Sequence, residues 1–294
     1  MKKRYKRLFI ISAIAIGVSA FSYLQNNLIN VSKISITSSK IPSNFKGFKI
    51  VQLSDLHSKK FGESQEVLIE KVKSLNPDII AITGDLIDSK RYDAEASLKV
   101  VKELVKHYPV YFVTGNHELW SGRYDSLEKE LKRYNVTVLR NEHERIQKEG
   151  QEICLLGIDD PAFTAKNNDE NEEMSTVKNE IVKAKNEVDQ DEYKVLLSHR
   201  PELLQVYAEQ QIDLVLTGHA HGGQVRLPFI GGLVAPNQGI LPKYTAGSYK
   251  EQGTSMIVSR GLGNSIIPQR IFNRPEIVVV LVFSKKYKYP LQFC

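Results

Sequence analysis

An α/β fold with parallel strand pairing is what this sequence predicts, and three features predict it. From residue 48 onward, short β-branched apolar runs alternate with segments of helical periodicity, the pattern of βαβ units. Many of these runs lead into a cluster of glycine, aspartate, asparagine or histidine, as when a buried strand leaves its sheet for a loop. A separate uncharged stretch at the N-terminus predicts a hydrophobic helix ahead of the domain.

Residues 8–24 form that stretch, preceded by Lys2, Lys3, Arg4, Lys6 and Arg7. Its length sits at the short end of the roughly 17–25 residues that cross a bilayer. The basic flank predicts a cytoplasmic N-terminus, a single span and a domain outside the cytoplasm. A cleaved signal, with Val18-Ser19-Ala20 as a weak cleavage site, is the competing reading and would make the protein secreted. The net charge is +6, of which this flank supplies five, so the rest of the chain is close to neutral. No nucleic-acid surface is indicated. Two cysteines make no disulfide framework: Cys154 falls in an apolar strand and reads as buried, and Cys294 is the last residue.

Residues 25–47 read as a connector ending in an edge strand at 31–37, and 48–294 as the catalytic domain. Within it, 48–53, 78–83 and 110–113 read as strands. Helices are expected at 64–75, stopped by Asn76-Pro77, and at 94–107, where Leu98, Val101, Leu104 and Val105 share a face. A third helix is expected at 125–134 and strands at 136–139 and 153–158. The acid-rich stretch 162–191 predicts one helix at 175–186 and a mobile loop, its acids facing solvent. Strands follow at 193–197, 212–216, 255–259 and 276–283. There is no internal repeat.

Five motifs stand directly after strands: Asp55-Leu56-His57, Gly84-Asp85, Gly115-Asn116-His117-Glu118, Ser198-His199 and Gly218-His219-Ala220-His221-Gly222-Gly223. Each alone is weak; Asp-x-His is commonly a surface turn. The paired histidines between glycines are stronger, since a core has little use for them. Five in order at strand ends form one expected site, because ligands of open α/β sheets lie beyond the carboxyl ends of the strands. His107 and His143 fall outside the motifs.

The chain here resembles the calcineurin-like metallophosphoesterases, on Asp55/His57, Gly84-Asp85/Asp88, Gly115-Asn116-His117-Glu118, His199 and Gly218-His219/His221. Gly222-Gly223-Gln224 and Ser259-Arg260-Gly261-Leu262-Gly263 resemble the membrane-anchored bacterial branch. The resemblance implies two packed mixed β-sheets flanked by helices, a four-layer sandwich, around two divalent metal ions. It implies Asp55, His57 and His221 on one ion, Asn116, His199 and His219 on the other, and Asp85 bridging. His117 would protonate the leaving oxygen. The implied reaction is hydrolysis of a phosphomonoester, phosphodiester or pyrophosphate bond by a metal-bridging hydroxide. Relatives in this branch include enzymes acting on UDP-diacylglucosamine-type lipid precursors, a cytoplasmic substrate that fits an exported domain poorly. A membrane-anchored scaffold of the same fold, binding a protein partner, would be expected to lose ligands, and none is lost here.

The residue types suit that chemistry by themselves. Carboxylate and imidazole donors favour Mn, Fe, Zn or Co over calcium. Two divalent ions against two aspartates leave a net positive site that attracts phosphate. Asp88 and Glu118 are candidates for orienting imidazoles, against a plain surface role. Trp120 either stacks on substrate at the pocket rim or packs under its loop. The apolar, glycine-rich segment 227–249 reads as a wall or lid that would suit a lipid-linked substrate, or as a rigid packed loop. A dinucleotide-binding oxidoreductase is excluded, because no Gly-x-Gly-x-x-Gly turn follows the first strand. Oligomeric state is not legible.

Overall fold

The computed structural model describes residues 2–164, 169–265 and 267–285; Cys294, the end of the expected domain and part of the expected 162–191 loop lie outside the described residues. The chain begins with α1 (Lys2–Asn27), β1 (Asn30–Ser38), β2 (Phe48–Leu53), α2 (Glu66–Leu75), β3 (Ile79–Thr83), α3 (Ala94–Leu104) and β4 (Val110–Val113). There follow α4 (Asn116–Trp120), α5 (Tyr124–Arg133), β5 (Thr137–Val138), β6 (Glu142–Lys148), β7 (Gln151–Gly157), α6 (Glu170–Ala184), β8 (Lys194–Leu197), α7 (Leu204–Glu209) and β9 (Leu214–Thr217). Two small ribbons, β10 (Arg226–Leu227) with β11 (Gly231–Gly232) and β12 (Val234–Ala235) with β13 (Gly239–Ile240), precede β14 (Gly247–Glu251), β15 (Thr254–Val258) and β16 (Glu276–Ser284).

Two six-stranded mixed sheets result, ordered β1-β16-β2-β3-β4-β5 and β14-β15-β9-β8-β7-β6. β2, β3, β4 and β5 run parallel, as do β7, β8, β9 and β15. Antiparallel pairs enter the first sheet where β16 meets β2 and the second at both edges, β14 on β15 and β6 on β7. Alternation along the central strands buries both faces. Ile80 and Ile82 face α2, α3 and α5, whereas Ile79 and Ala81 face the second sheet. Val195 and Leu197 meet that inter-sheet core, and Leu196 turns to α6 and α7. The layers are therefore helices, sheet, sheet, helices, with α1 ahead of them.

Most expected elements are present, with shifted ends. α2 starts at Glu66 because Gln65 takes a left-handed turn (φ 63°) and sends its side chain inward, Nε2 donating to the carbonyls of Lys59 (2.9 Å) and Ala96 (3.0 Å). α6 starts five residues before the expected 175. Asp169 caps it, accepting from the N–H groups of Asn171 (2.8 Å) and Glu172 (3.2 Å), and three glutamates occupy its first turn. β6, β14, α4 and α7 are additions. β6 and β14 are edge strands with little apolar content, which hydrophobic patterning does not reveal. Cys154 is buried in β7 as a free thiol, as expected.

Candidate metal centre

The parallel strands of both sheets end on one side of the molecule, and all five motifs meet there. Asp55 follows β2, Asp85 follows β3, Asn116 opens α4 after β4, His199 follows β8 and His219 follows β9. The turns are tight. Asp55 (φ 51°), His57 (φ 49°), Asp85 (φ 51°), His219 (φ 63°) and His221 (φ 46°) all sit in the left-handed region, which non-glycine residues seldom adopt. Surrounding structure must hold each of these residues in place.

Hydrogen bonds across the two sheets do this holding. The Asp55 carboxylate accepts from the backbone N–H of His219 (3.0 Å), and His199 Nδ1–H donates to the carbonyl of Thr83 (2.8 Å). Gln52 Nε2 bridges Thr83 Oγ1 (2.9 Å) and the carbonyl of Thr217 (2.8 Å). Gly218 lies against Ser54 and Asp55 so closely that a Cβ there would overlap both side chains. The late Ser259–Gly263 segment is a brace: the N–H groups of Leu262 (3.0 Å) and Gly263 (2.6 Å) bond the carbonyls of Ser54 and Asp55. Asn273 Nδ2 locks the histidine turn through the carbonyls of His221 (2.8 Å) and Gln224 (2.9 Å).

Side-chain donor atoms converge in three sets. Asp55, His57, Asp85 and His221 form one, Asp85, His199 and His219 a second, and His57, Asp88 and His117 a third, each within metal-binding range of one another. Asp85 Oδ2 belongs to the first two, 3.5 Å from His57 Nε2 and 3.3 Å from His199 Nε2. His221 Nε2 is 3.0 Å from His57 Nε2 and 3.3 Å from Asp55 Oδ1. His219 turns Nδ1, rather than Nε2, toward His199 Nε2 (3.2 Å); its Nε2 faces Asn237 Oδ1 (3.2 Å). Asn116 is buried and lines the same cavity of about 450 Å³.

This arrangement fits divalent cations. Asp55 Oδ2 and Asn116 Oδ1 are buried acceptors with no hydrogen-bond partner among the described residues. Leaving each unsatisfied costs about 1–3 kcal/mol, a cost that a bound cation removes. Burial holds the pKa of His219 and His221 well below the usual imidazole value, keeping their lone pairs free. Burial opposes charge on His199 as well, but the field and hydrogen bond of Asp85 raise it to about 10. Burial likewise opposes ionisation of Asp85, and His199 and His57 nevertheless hold it far below the carboxylate range.

The supporting residues are more extensive than the sequence suggested. Asp88 Oδ2 lies 3.4 Å from His57 Nδ1 and accepts from Arg91 Nη2 (2.8 Å), so it orients that imidazole. Glu118 reaches no imidazole. Its buried carboxylate accepts from the N–H groups of Gly115 (2.7 Å), Asp85 (2.8 Å), Leu86 (2.9 Å) and Ile87 (3.3 Å), tying two motif loops together. Burial and Asp85 push its pKa up to about 8, against the pull of those N–H donors. Arg200 and Asp160 escaped the sequence reading. They form a buried bidentate pair (2.6 and 2.9 Å), and Arg200 Nη1 stands 3.3 Å from His219 Nε2. The only available hint was the position of Arg200 directly after a motif histidine.

His117 lines the cavity half-buried, and its Nδ1 accepts from the N–H of Ser89 (3.1 Å). Nε2 is then the ring position that carries the hydrogen. Trp120 is 60% exposed on the cavity wall, its ring 5.3 Å from that of His117. Pro236 and Asn237, from the expected wall segment, reach the cavity and His219.

A family profile described as calcineurin-like phosphoesterase matches residues 48–223. The chain is 30% identical to the uncharacterized metallophosphoesterase YkuE of Bacillus subtilis, covering 97% of this chain and 99% of that one. It is 29% identical to an uncharacterized metallophosphoesterase of Aquifex aeolicus, over 92% and 98% of the two chains. A transmembrane protein with metallophosphoesterase domain from Danio rerio is 28% identical over 85% of this chain and 56% of its own length. Among solved structures, the NAD nucleotidase of Haemophilus influenzae superposes with a TM-score of 0.50 at 17% identity, over 73% of this chain and 45% of that one, a likeness of fold.

Proposed function

The chain belongs to the calcineurin-like phosphoesterase family, and on that premise we propose that this hydrolase splits a phosphomonoester, phosphodiester or pyrophosphate bond at the centre around Asp85. The observation that carries this reading is the sharing of Asp85 between two buried sets of donor atoms, beside a cavity of about 450 Å³.

Asp55, His57 and His221 would hold one divalent ion, Asn116, His199 and His219 a second, with Asp85 common to both. Such ions supply Lewis-acid polarisation and a nucleophilic water near neutral pH. The chain's own residues would do the rest. Asp88 fixes the ring of His57, and Arg200 stands behind His219. Glu118 holds the Asp85 and Asn116 loops in register. His117, steadied by Ser89, directs Nε2–H at the leaving oxygen and stabilises by a hydrogen bond the charge that grows there as its bond to phosphorus breaks. Trp120 supplies an aromatic face for the part of the substrate beyond the phosphate.

The proposed setting is a membrane. Residues Lys3–Asn27 form a helix long and apolar enough to cross a bilayer. With the basic flank on its N-terminal side, it would anchor residues 48–294 outside the cytoplasm.

The test is a screen of the full chain, loaded with Mn, Fe, Zn or Co, against phosphomonoesters, diesters, nucleotides and pyrophosphate-linked lipids. Turnover is expected, with His117→Ala slowed by about 10²–10³-fold on esters with poor leaving groups, the range for losing one donor to a developing oxyanion. Metal-loaded protein that turns over none of them would refute the enzyme reading; a His117→Ala variant at full rate on every ester would refute the His117 assignment alone.

A further inference from the structure

The ribbons between the histidine turn and β14 carry an apolar surface that the proposed chemistry does not use. Leu227, Phe229, Ile230, Ile240 and Leu241 are exposed, Phe229 completely. Phe272, also exposed, stands beside them, because Val225 bridges to Ile271 and Arg226 N–H donates to the Ile271 carbonyl (3.0 Å). An apolar patch of this kind on a folded surface marks an interaction site.

Three observations say what covers it. First, the patch is continuous with the proposed anchor. Phe21 of α1 packs edge-on against Phe272 (5.5 Å), Asn26 Oδ1 accepts from Arg270 N–H (2.9 Å), and Ser22 bonds Gln269 (2.6 Å). The C-terminal end of α1 is thus docked on the segment that pairs with the start of the ribbons. Second, the charge is one-sided. Between residues 214 and 275 the only acid is Glu251, against exposed Lys243 and Lys250 and half-buried Arg226 and Arg274; Arg270 is buried, and Arg260 pairs with Glu276 (2.8 Å). A basic, apolar surface of this kind complements anionic lipid headgroups. Third, the same ribbons reach the metal centre, with Pro236 on the cavity wall and Asn237 3.2 Å from His219.

We propose that the ribbon segment 226–241, with Phe272, is a second membrane contact that dips into the interface of the bilayer entered by α1 and holds the cavity mouth at the lipid surface. The substrate class that follows is an amphipathic phosphate ester presented from the membrane plane. The contact itself rests on the anchor reading of α1, and only this substrate consequence rests on the phosphoesterase reading.

Trp120 is the only tryptophan, so a Trp120→Phe background makes the test clean. The full chain carrying Trp120→Phe and Phe229→Trp is reconstituted into phosphatidylglycerol/phosphatidylethanolamine vesicles with and without brominated acyl chains. Blue-shifted emission quenched by the brominated lipid is expected, whereas Val182→Trp in the same background, on the exposed side of α6, should stay water-like and unquenched. Water-like emission from the Phe229→Trp protein in vesicles would overturn the contact. So would a blue shift that bromine leaves unquenched and that follows protein concentration, the sign of a second copy on the patch. Protein that fails to float with vesicles would remove the anchor and this contact together. If the metal-loaded chain is active, Phe229→Asp with Ile240→Asp should keep soluble-ester turnover but lose about tenfold on vesicle-borne ester, as an interfacial contact of this size requires. Equal loss on both esters would overturn the substrate class and leave the fluorescence result standing.

Discussion

His219 and His221 are separated by the single residue Ala220 and belong to different donor sets, the site using Nδ1 of one and Nε2 of the other. Each should therefore fail differently. In His219→Ala the Asp55/His57/His221 set is intact, and in His221→Ala the Asp85/His199/His219 set is. If the proposed two-ion centre holds, metal analysis is expected to find about one ion fewer in each variant than in the parent, with separable affinities, since removing one ligand of a set weakens mainly its own ion. Complete loss of metal in both variants would contradict separate sets. Glu118 gives a second residue-scale expectation. Glu118→Gln keeps the shape but turns an amide NH₂ toward backbone donors, which should lower folding stability by about 1–3 kcal/mol in chemical denaturation. The motif residues were legible because strand ends announce them. The job of Glu118 was not, since its partners are backbone N–H groups of a loop some thirty positions away.

At the scale of elements, α6 shows what patterning misses. Its N-terminus is set by the Asp169 cap, so the helix begins in a stretch whose acids resemble a solvated loop. Two of those acids, Glu173 and Glu180, are buried, Glu180 accepting from Thr164 Oγ1 (3.2 Å). Burial, then the charge of Asp159, push Glu180 from an ordinary 4.5 to about 8. A carboxyl with a raised folded pKa binds its proton more tightly folded than unfolded. Its contribution is full below the unfolded value and is lost as pH rises through the folded one. Thermal stability should therefore fall between pH 4.5 and about 8. Glu180→Gln should flatten that slope in melting scans at several pH values; an unchanged slope would assign the dependence elsewhere. Edge strands β6 and β14 escaped the reading for a related reason: a strand paired on one side and largely exposed keeps no apolar alternation.

At the scale of the molecule, the two sheets, the metal centre and α1 share one architecture. The end of α1 docks on residues 268–273, whose Arg270 side chain holds the carbonyls of Arg260 (3.0 Å) and Asn273 (3.1 Å), next to the brace and the histidine turn. The end of α1 and the histidine turn are thereby joined through one hydrogen-bonded segment. The proposed topology predicts that protease added to intact cells degrades the domain while leaving cytoplasmic markers whole; full protection of the domain would place it on the cytoplasmic side.

The sequence by itself determined the alternating strands and helices, the apolar N-terminal helix and the order of metal-binding motifs. These follow from local periodicity, glycine turns and residue type, all readable along the chain. Only the tertiary structure decided that donors from two different sheets meet across one edge, with Asp85 between them. It alone paired Arg200 with Asp160, drew the 259–263 segment under Asp55 and brought the apolar ribbons beside the end of α1. Those contacts join residues far apart in sequence, and packing of one sheet on the other, rather than any local preference, brings them together.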